Sequence, residues 1–190
     1  MSLEQFTENI KTECSMINHP ILSIQAIKVD GVEENSLKNT LCNNSLKSCD
    51  YIKFTDNEIC FIEFSDFYEQ LNNLITENNH IKNSNISAEN KRSLVRKKII
   101  IKPQNVIKNE IQNKISETIL LFDLICKNYP ISKHQNKDKE FIICLCKIIP
   151  QHSILFDNIL REIRKKFKYT ICIDMFIYSE LKAYLGDKIS

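Results

Sequence analysis

The sequence predicts an α/β fold, a mixed central sheet with flanking helices in a single domain. Two strand-like runs, Cys49–Thr55 and Glu58–Ser65, are separated only by Asp56–Asn57, the signature of a β-hairpin. Beyond it, short apolar runs at Phe141–Ile149 and Tyr169–Ile173 alternate with an amphipathic stretch marked by Leu155, Ile159, Ile163 and Phe167. That alternation is how helices cover a buried, partly parallel sheet. At 190 residues, with 43% hydrophobic and 26% charged side chains, the chain suffices for one well-cored domain.

Taken in order, Ser2–Met16 reads as an amphipathic helix from Leu3, Phe6 and Ile10. Residues 1–20 are therefore expected as an N-terminal helix, 21–173 as the core and 174–190 as a C-terminal helix. Ile21–Val29 reads as a strand ending at the Asp30–Gly31 turn, and residues 33–47 are polar without a clear period. The hairpin follows. Phe67–Thr76 is expected as a helix on Phe67, Leu71 and Leu74, and Glu77–Asn90, rich in Asn and Ser, as a loop. Pro103 opens a long helix to about Lys127, with Ile107, Ile111, Ile115 and Phe122 on its apolar face. Asn128–Lys139 is a polar loop carrying Pro130, and Ser179–Leu185 a closing helix.

Composition excludes several chemistries. A net charge of +2 gives no global argument for a nucleic-acid or membrane partner, so any such case rests on local clusters. No apolar run reaches about 18 residues, so neither a membrane span nor a signal peptide is expected. The eight cysteines include no Cys-x-x-Cys pair and several sit in apolar runs, which points to reduced thiols and an intracellular, cytoplasmic setting. A zinc site built from Cys144 and Cys146 with His134 or His152 lacks the short loop such sites use. With only Gly31 and Gly186 present, phosphate-cradling glycine loops are excluded. No Gly-x-Ser-x-Gly, His-Glu-x-x-His or calcium loop occurs.

The hairpin carries the chemistry. Residues equidistant from the Asp56–Asn57 turn face one another, which sets Asp50 across from Glu63 and Ser48 across from Ser65. Opposed side chains share a face with Cβ atoms about 5 Å apart. Two carboxylates there repel unless a cation lies between them, and oxygen donors of this kind suit Mg²⁺ or Mn²⁺. Glu63, inside Cys-Phe-Ile-Glu-Phe, requires a partner because its run is strongly apolar. The plain alternative is a strand-opening Asp50 and a Glu63 on a solvated face.

Cys-Asp50-Tyr-Ile, a hairpin, then Phe-Ile-Glu63-Phe-Ser65 resembles the PD-(D/E)XK nuclease superfamily, in which an acidic residue on one core strand precedes Glu-x-Lys on the next. The resemblance extends over roughly residues 3–173 in topology and implies a restriction-endonuclease-like core. It also implies a metal-dependent phosphodiesterase acting on DNA or RNA, in restriction, repair or anti-phage defence, with Asp50 and Glu63 holding Mg²⁺ or Mn²⁺. Ser65 stands where that family has lysine. Some members place the lysine on the following helix, and Lys114 is the candidate here, with Lys108 second; its plain reading is an exposed partner of Glu110. A first-helix glutamate also occurs in the family, and Glu8 or Glu13 could serve.

Two basic clusters could track a phosphate backbone: Lys91, Arg92, Arg96, Lys97, Lys98 and Lys102, and Arg161, Arg164, Lys165, Lys166 and Lys168. The second has a structural explanation in the dipole of the helix it ends. A rival expectation is a nuclease-like fold without catalysis, acting as a binding module, partner subunit or immunity protein, which Ser65 favours.

Overall fold

A computed structural model describes residues 2–12, 21–31, 36–41, 45–84, 87–90, 93, 102–131 and 134–187. Its framework is a six-stranded sheet in strictly sequential order. The strands are β1 (Thr7–Asn9), β2 (Gln25–Lys28), β3 (Tyr51–Phe54), β4 (Glu58–Ser65), β5 (Asp138–Leu145) and β6 (Cys172–Ile177). β1 to β4 form an antiparallel meander, and β4, β5 and β6 run parallel. The helices are α1 (Leu37–Thr40), α2 (Phe67–Asn83), α3 (Pro103–Asn128), α4 (Ser153–Phe167) and α5 (Tyr178–Asp187). The mixed α/β class read from the sequence is what the molecule has.

Alternation along the central strands explains the layering. In β5, Phe141, Ile143 and Leu145 enter one core cluster while Ile142 and Cys144 enter another. The larger cluster is covered by α2, α3 and α4 through Leu71, Ile111, Phe122 and Ile163; the smaller packs under α5 through Tyr178, Leu181 and Leu185. A strand buried on both faces needs apolar residues at every position, which is why β5 reads as a continuous run. Helix α3 starts with Pro103 in its first turn, where the missing N–H costs nothing. Its buried stripe is Ile107, Ile111, Ile115, Thr118, Phe122 and Ile125, spaced by three or four residues.

Several boundaries differ from expectation. The N-terminal helix is instead a 3-10 turn at Leu3–Phe6 followed by β1, while residues 13–16 lie outside the described residues. Phe6 and Ile10 bury in opposite clusters, which one helical face cannot arrange, and Ile10 exchanges backbone hydrogen bonds with Ile24 and Leu22, both 2.9 Å. Helix α2 runs seven residues past Thr76, to Asn83, into the segment expected as a loop. β5 lies over 138–145 and not 141–149. The last strand is shifted to 172–177, because Thr170 and Ile171 N–H groups are taken by the Phe167 carbonyl at the end of α4. Cys146 is disulfide-bonded, which corrects the expectation of reduced thiols throughout; Cys49, Cys60, Cys126, Cys144 and Cys172 are free. Pairing depends on spatial approach, which sequence spacing does not reveal. Among the described residues no helix is long and apolar enough to cross a membrane.

The Phe122 ring meets the edge of Phe61 at 5.4 Å and joins α3 to β4. Truncating it leaves a cavity that rigid strands cannot close. Phe122→Ala should lower the unfolding free energy by about 3–5 kcal/mol, read from the midpoint of urea denaturation.

Candidate functional site

β3 and β4 pair Tyr51 with Ile62, Ile52 with Phe61, Lys53 with Cys60 and Phe54 with Ile59 around the Asp56–Asn57 turn, the register expected from the turn residues. The register breaks one residue earlier. The Asp50 N–H also donates to Ile62 O, at 2.9 Å, so two residues of one strand oppose one of the other. That is a β-bulge, a device that re-aims a side chain. Asp50 is therefore not a regular cross-strand partner of Glu63. Its Oδ2 instead accepts the Phe64 N–H, at 2.7 Å, beside the Glu63 backbone.

Glu63 is 1% exposed. It lies on the β4 face of Ile59 and Phe61, beneath α3. Lys114 on α3 donates from Nζ to Glu63 Oε1, making an ion pair whose lysine side chain is 21% exposed. Glu63 Oε2 is buried and has no hydrogen-bond partner among the described residues. Burial above all, and next the charge of Asp50, push the Glu63 carboxyl well above the usual carboxylate range, against the pull of Lys114. For Lys114, burial alone would depress the ammonium, but the Glu63, Asp50 and Glu110 carboxylates outweigh it and hold its pKa above the ordinary lysine value. Lys114 thus stays charged while Glu63 has less cation than its position demands.

The local folding that creates this pair is legible in α3. Thr118 interrupts the apolar stripe, and its hydroxyl accepts the Cys49 N–H at 2.9 Å. Glu117, the residue before Thr118, accepts the Lys47 N–H. These contacts fasten the chain just before Asp50 to the helix that carries Lys114. The Cys49 thiol is pushed well up by burial and then by Asp50 and Glu63, so it stays protonated and is no nucleophile. Cys144 is likewise pushed up to about 12, by burial and then Asp50.

The structure also places a third carboxylate near Glu63. Asp30 ends the β2 segment, where the Val29 N–H donates to Asp50 O at 2.9 Å, and its charge adds to the upward push on Glu63. Asp30 accepts from Gly31 N–H at 2.9 Å and from Lys38 Nζ at 3.0 Å. As a plain Asp-Gly turn it carried no functional signal in the sequence. Thr118 did carry one, a polar residue at an apolar-stripe position.

Other expected site residues are distributed differently. Ser65 is buried, two residues along the Glu63 face of β4. Lys108 pairs with Glu162, at 2.7 Å, and not with the carboxylates. Glu8 lies in β1, not in a helix, and accepts from Tyr51 Oη at 2.8 Å. Tyr51 belongs to the smaller cluster, on the sheet face away from Glu63, so Glu8 is not part of this site. Glu13 falls outside the described residues. So do Lys91, Arg92, Arg96, Lys97 and Lys98. Lys102 immediately precedes α3 and lines, with Lys108, Arg161 and Lys165, a groove of about 510 Å³ between α3 and α4. Arg164 and Lys166 of the second cluster are engaged internally, with Ile173 O at 2.8 Å and Gln112 at 2.9 Å. His152 bonds Asn72 at 3.0 Å and the Phe54 ring lies 4.6 Å from that of His134, whereas Cys144 is buried under α5. Among the described residues no grouping of metal-ligand donors includes a histidine.

Family models, curated proteins and solved structures were compared with the chain, and none matches.

Removing Lys114 would strand the Glu63 carboxylate. Lys114→Met should cost about 3–5 kcal/mol at pH 8 and less at pH 5. The sign follows from the raised Glu63 pKa: between the unfolded and the folded value the folded state keeps a proton that the unfolded chain has released, so stability is full below the unfolded value and is lost as pH rises through the folded one, where Glu63 is ionised. Urea denaturation at both pH values measures it; a penalty independent of pH would mean that only the packing of the lysine stem was lost.

Proposed function

We propose that the Asp50–Glu63–Lys114 constellation is the divalent-metal site of a nuclease-like protein of PD-(D/E)XK type, acting on DNA or RNA phosphodiesters. The observation that carries this reading is Glu63 Oε2, a buried carboxylate oxygen with no hydrogen-bond partner among the described residues, near a second carboxylate and in a residue whose other oxygen pairs with the Lys114 ammonium. Such an oxygen calls for a cation, and an all-oxygen donor set fits Mg²⁺ or Mn²⁺. The topology is in keeping with a restriction-endonuclease-like core: a hairpin carrying both carboxylates, a helical crossover, and a parallel strand beside β4.

In this reading Glu63 Oε2 and the Asp50 carboxylate hold the ion. The bound ion would supply charge neutralisation at the phosphate and a more acidic water. Glu63 Oε1 fixes the Lys114 ammonium, which remains protonated and brings from α3 the positive charge that Ser65 cannot bring from β4. Ser65 adds a hydroxyl able to hydrogen-bond a water. The groove lined by Lys102, Lys108, Arg161 and Lys165 offers a surface for a phosphate backbone.

One observation favours a second reading, a nuclease-like fold that binds without cleaving. Lys114 already neutralises Glu63 in part, as a purely structural buried pair would.

Mn²⁺ at 100 times its Kd should stabilise the folded chain by about 2.7 kcal/mol and raise its Tm. The shift should grow as pH rises, because the raised Glu63 carboxyl must release its proton to bind the ion. Glu63→Gln should abolish the shift together with cleavage of plasmid DNA or RNA. A Tm shift without cleavage under Mg²⁺ or Mn²⁺ would select the binding reading, and the absence of any shift in the wild type would sink the metal site.

A further inference from the structure

On the sheet face away from Glu63, three adjacent strands bring thiols and carboxylates into one row. Cys60 pairs with Glu140 across β4 and β5, and Glu140 with Cys172 across β5 and β6. Asp174 lies two residues beyond Cys172 and so shares its face. Glu140 is only 2% exposed, an unusual place for a carboxylate unless it is well coordinated. Its oxygens accept from Tyr184 Oη and, at 3.6 Å, from Cys60 Sγ. The Cys172 thiol donates to Asp174 Oδ2 at 3.5 Å. The donor atoms of Glu140, Cys172 and Asp174 all lie within 4.8 Å of one another, and those of Glu58, Cys60 and Glu140 do as well, so Glu140 is common to both triplets.

We propose that Glu140, Cys172 and Asp174 form a cation site selective for a thiophilic divalent ion such as Zn²⁺. Zinc bonds of about 2.3 Å to sulfur and 2.0 Å to oxygen, set at the tetrahedral angle, separate the two ligand atoms by about 3.5 Å. That is the spacing already held between Cys172 Sγ and Asp174 Oδ2, where the thiol proton occupies the place of the ion. A thiolate in the set disfavours Mg²⁺ and Ca²⁺, which distinguishes this site from the all-oxygen pair at Glu63. The Tyr184 phenol orients Glu140 as a supporting contact behind a ligand. Access is open: Glu58, Cys172 and Asp174 line a cavity of about 580 Å³ at the β6 edge. Arg164 sits on the other carboxylate oxygen, Asp174 Oδ1, at 3.3 Å, which leaves Oδ2 facing Cys172.

The test is titration of the full chain, stripped with a chelator, with Co²⁺ as a spectroscopic substitute for zinc. The wild type should develop a thiolate-to-cobalt charge-transfer band saturating at one equivalent, and excess Zn²⁺ should bleach it. Cys172→Ser should remove the band, and Asp174→Asn should weaken the apparent affinity by at least about tenfold. Glu63→Gln and Cys126→Ser should leave it intact, with circular dichroism verifying the fold of each variant. No band in the wild type would show a hydrogen-bonded cluster only, and a band that survives both Cys172→Ser and Asp174→Asn would place the ion elsewhere; either result overturns the proposal.

Discussion

Burying the Glu63 carboxylate beneath α3 is the constraint around which the neighbouring elements are arranged. An ionised carboxylate removed from water is costly by several kcal/mol unless partners replace its hydration. Lys114 supplies one partner, to one oxygen. The helix that carries Lys114 must then be held in fixed register against β4, and the contacts on either side do so. Thr118 accepts the Cys49 N–H, Phe122 packs on Phe61, and Ile111 and Ile115 bury in the same cluster. The bulge at Asp50 follows from the same requirement, because a regular strand would set a second carboxylate squarely against Glu63. Turned instead to the Phe64 N–H, Asp50 stays close enough to raise the Glu63 pKa yet has a donor of its own.

The mixed sheet makes this arrangement possible. Antiparallel pairing of β3 with β4 brings the bulged Asp50 to the Phe64 N–H next to Glu63, whereas parallel pairing of β4 with β5 demands a long crossover, and α3 belongs to it. The crossover covers the larger cluster and delivers a lysine to the hairpin from above. On the other face only α5 among these helices packs on the smaller cluster, and the β6 edge, with Cys172 and Asp174, opens to a cavity. The two faces of one sheet therefore carry chemically distinct donors, oxygen with ammonium on one and sulfur with oxygen on the other.

The sequence was informative wherever local pattern and burial agree. The Asp56–Asn57 turn set the hairpin register, the alternating apolar runs gave the parallel half, and Pro103 marked the start of α3. It was uninformative where tertiary partners decide. Leu3, Phe6 and Ile10 have helical spacing, but the β2 segment offers a strand partner that overrides it. Lys114 looked like a surface mate of Glu110, since pairing across 51 residues has no local trace. Asp30 looked like a turn residue, and the bulge at Asp50 left no mark at all. Cys146 shows the same limit, because a disulfide depends on approach between distant segments.

A lysine delivered by a helix behaves differently from one delivered by a strand. In a Glu-x-Lys strand the two groups are fixed by the pleat, about 7 Å apart along one face, whatever the rest of the core does. Here the partner of Glu63 comes from another layer, so its position depends on every contact that seats α3. The site is thus as well ordered as the interface between helix and sheet, and no better. The interface is made of large, mutually touching side chains, which gives the rigidity that a preorganised charge site needs. Ser65, buried at the strand position, brings no charge, so among the described residues the positive charge hydrogen-bonded to Glu63 comes from Lys114. Under the proposed reading, the strength of the cation site is then tied to the packing of α3, and core and site cannot vary independently.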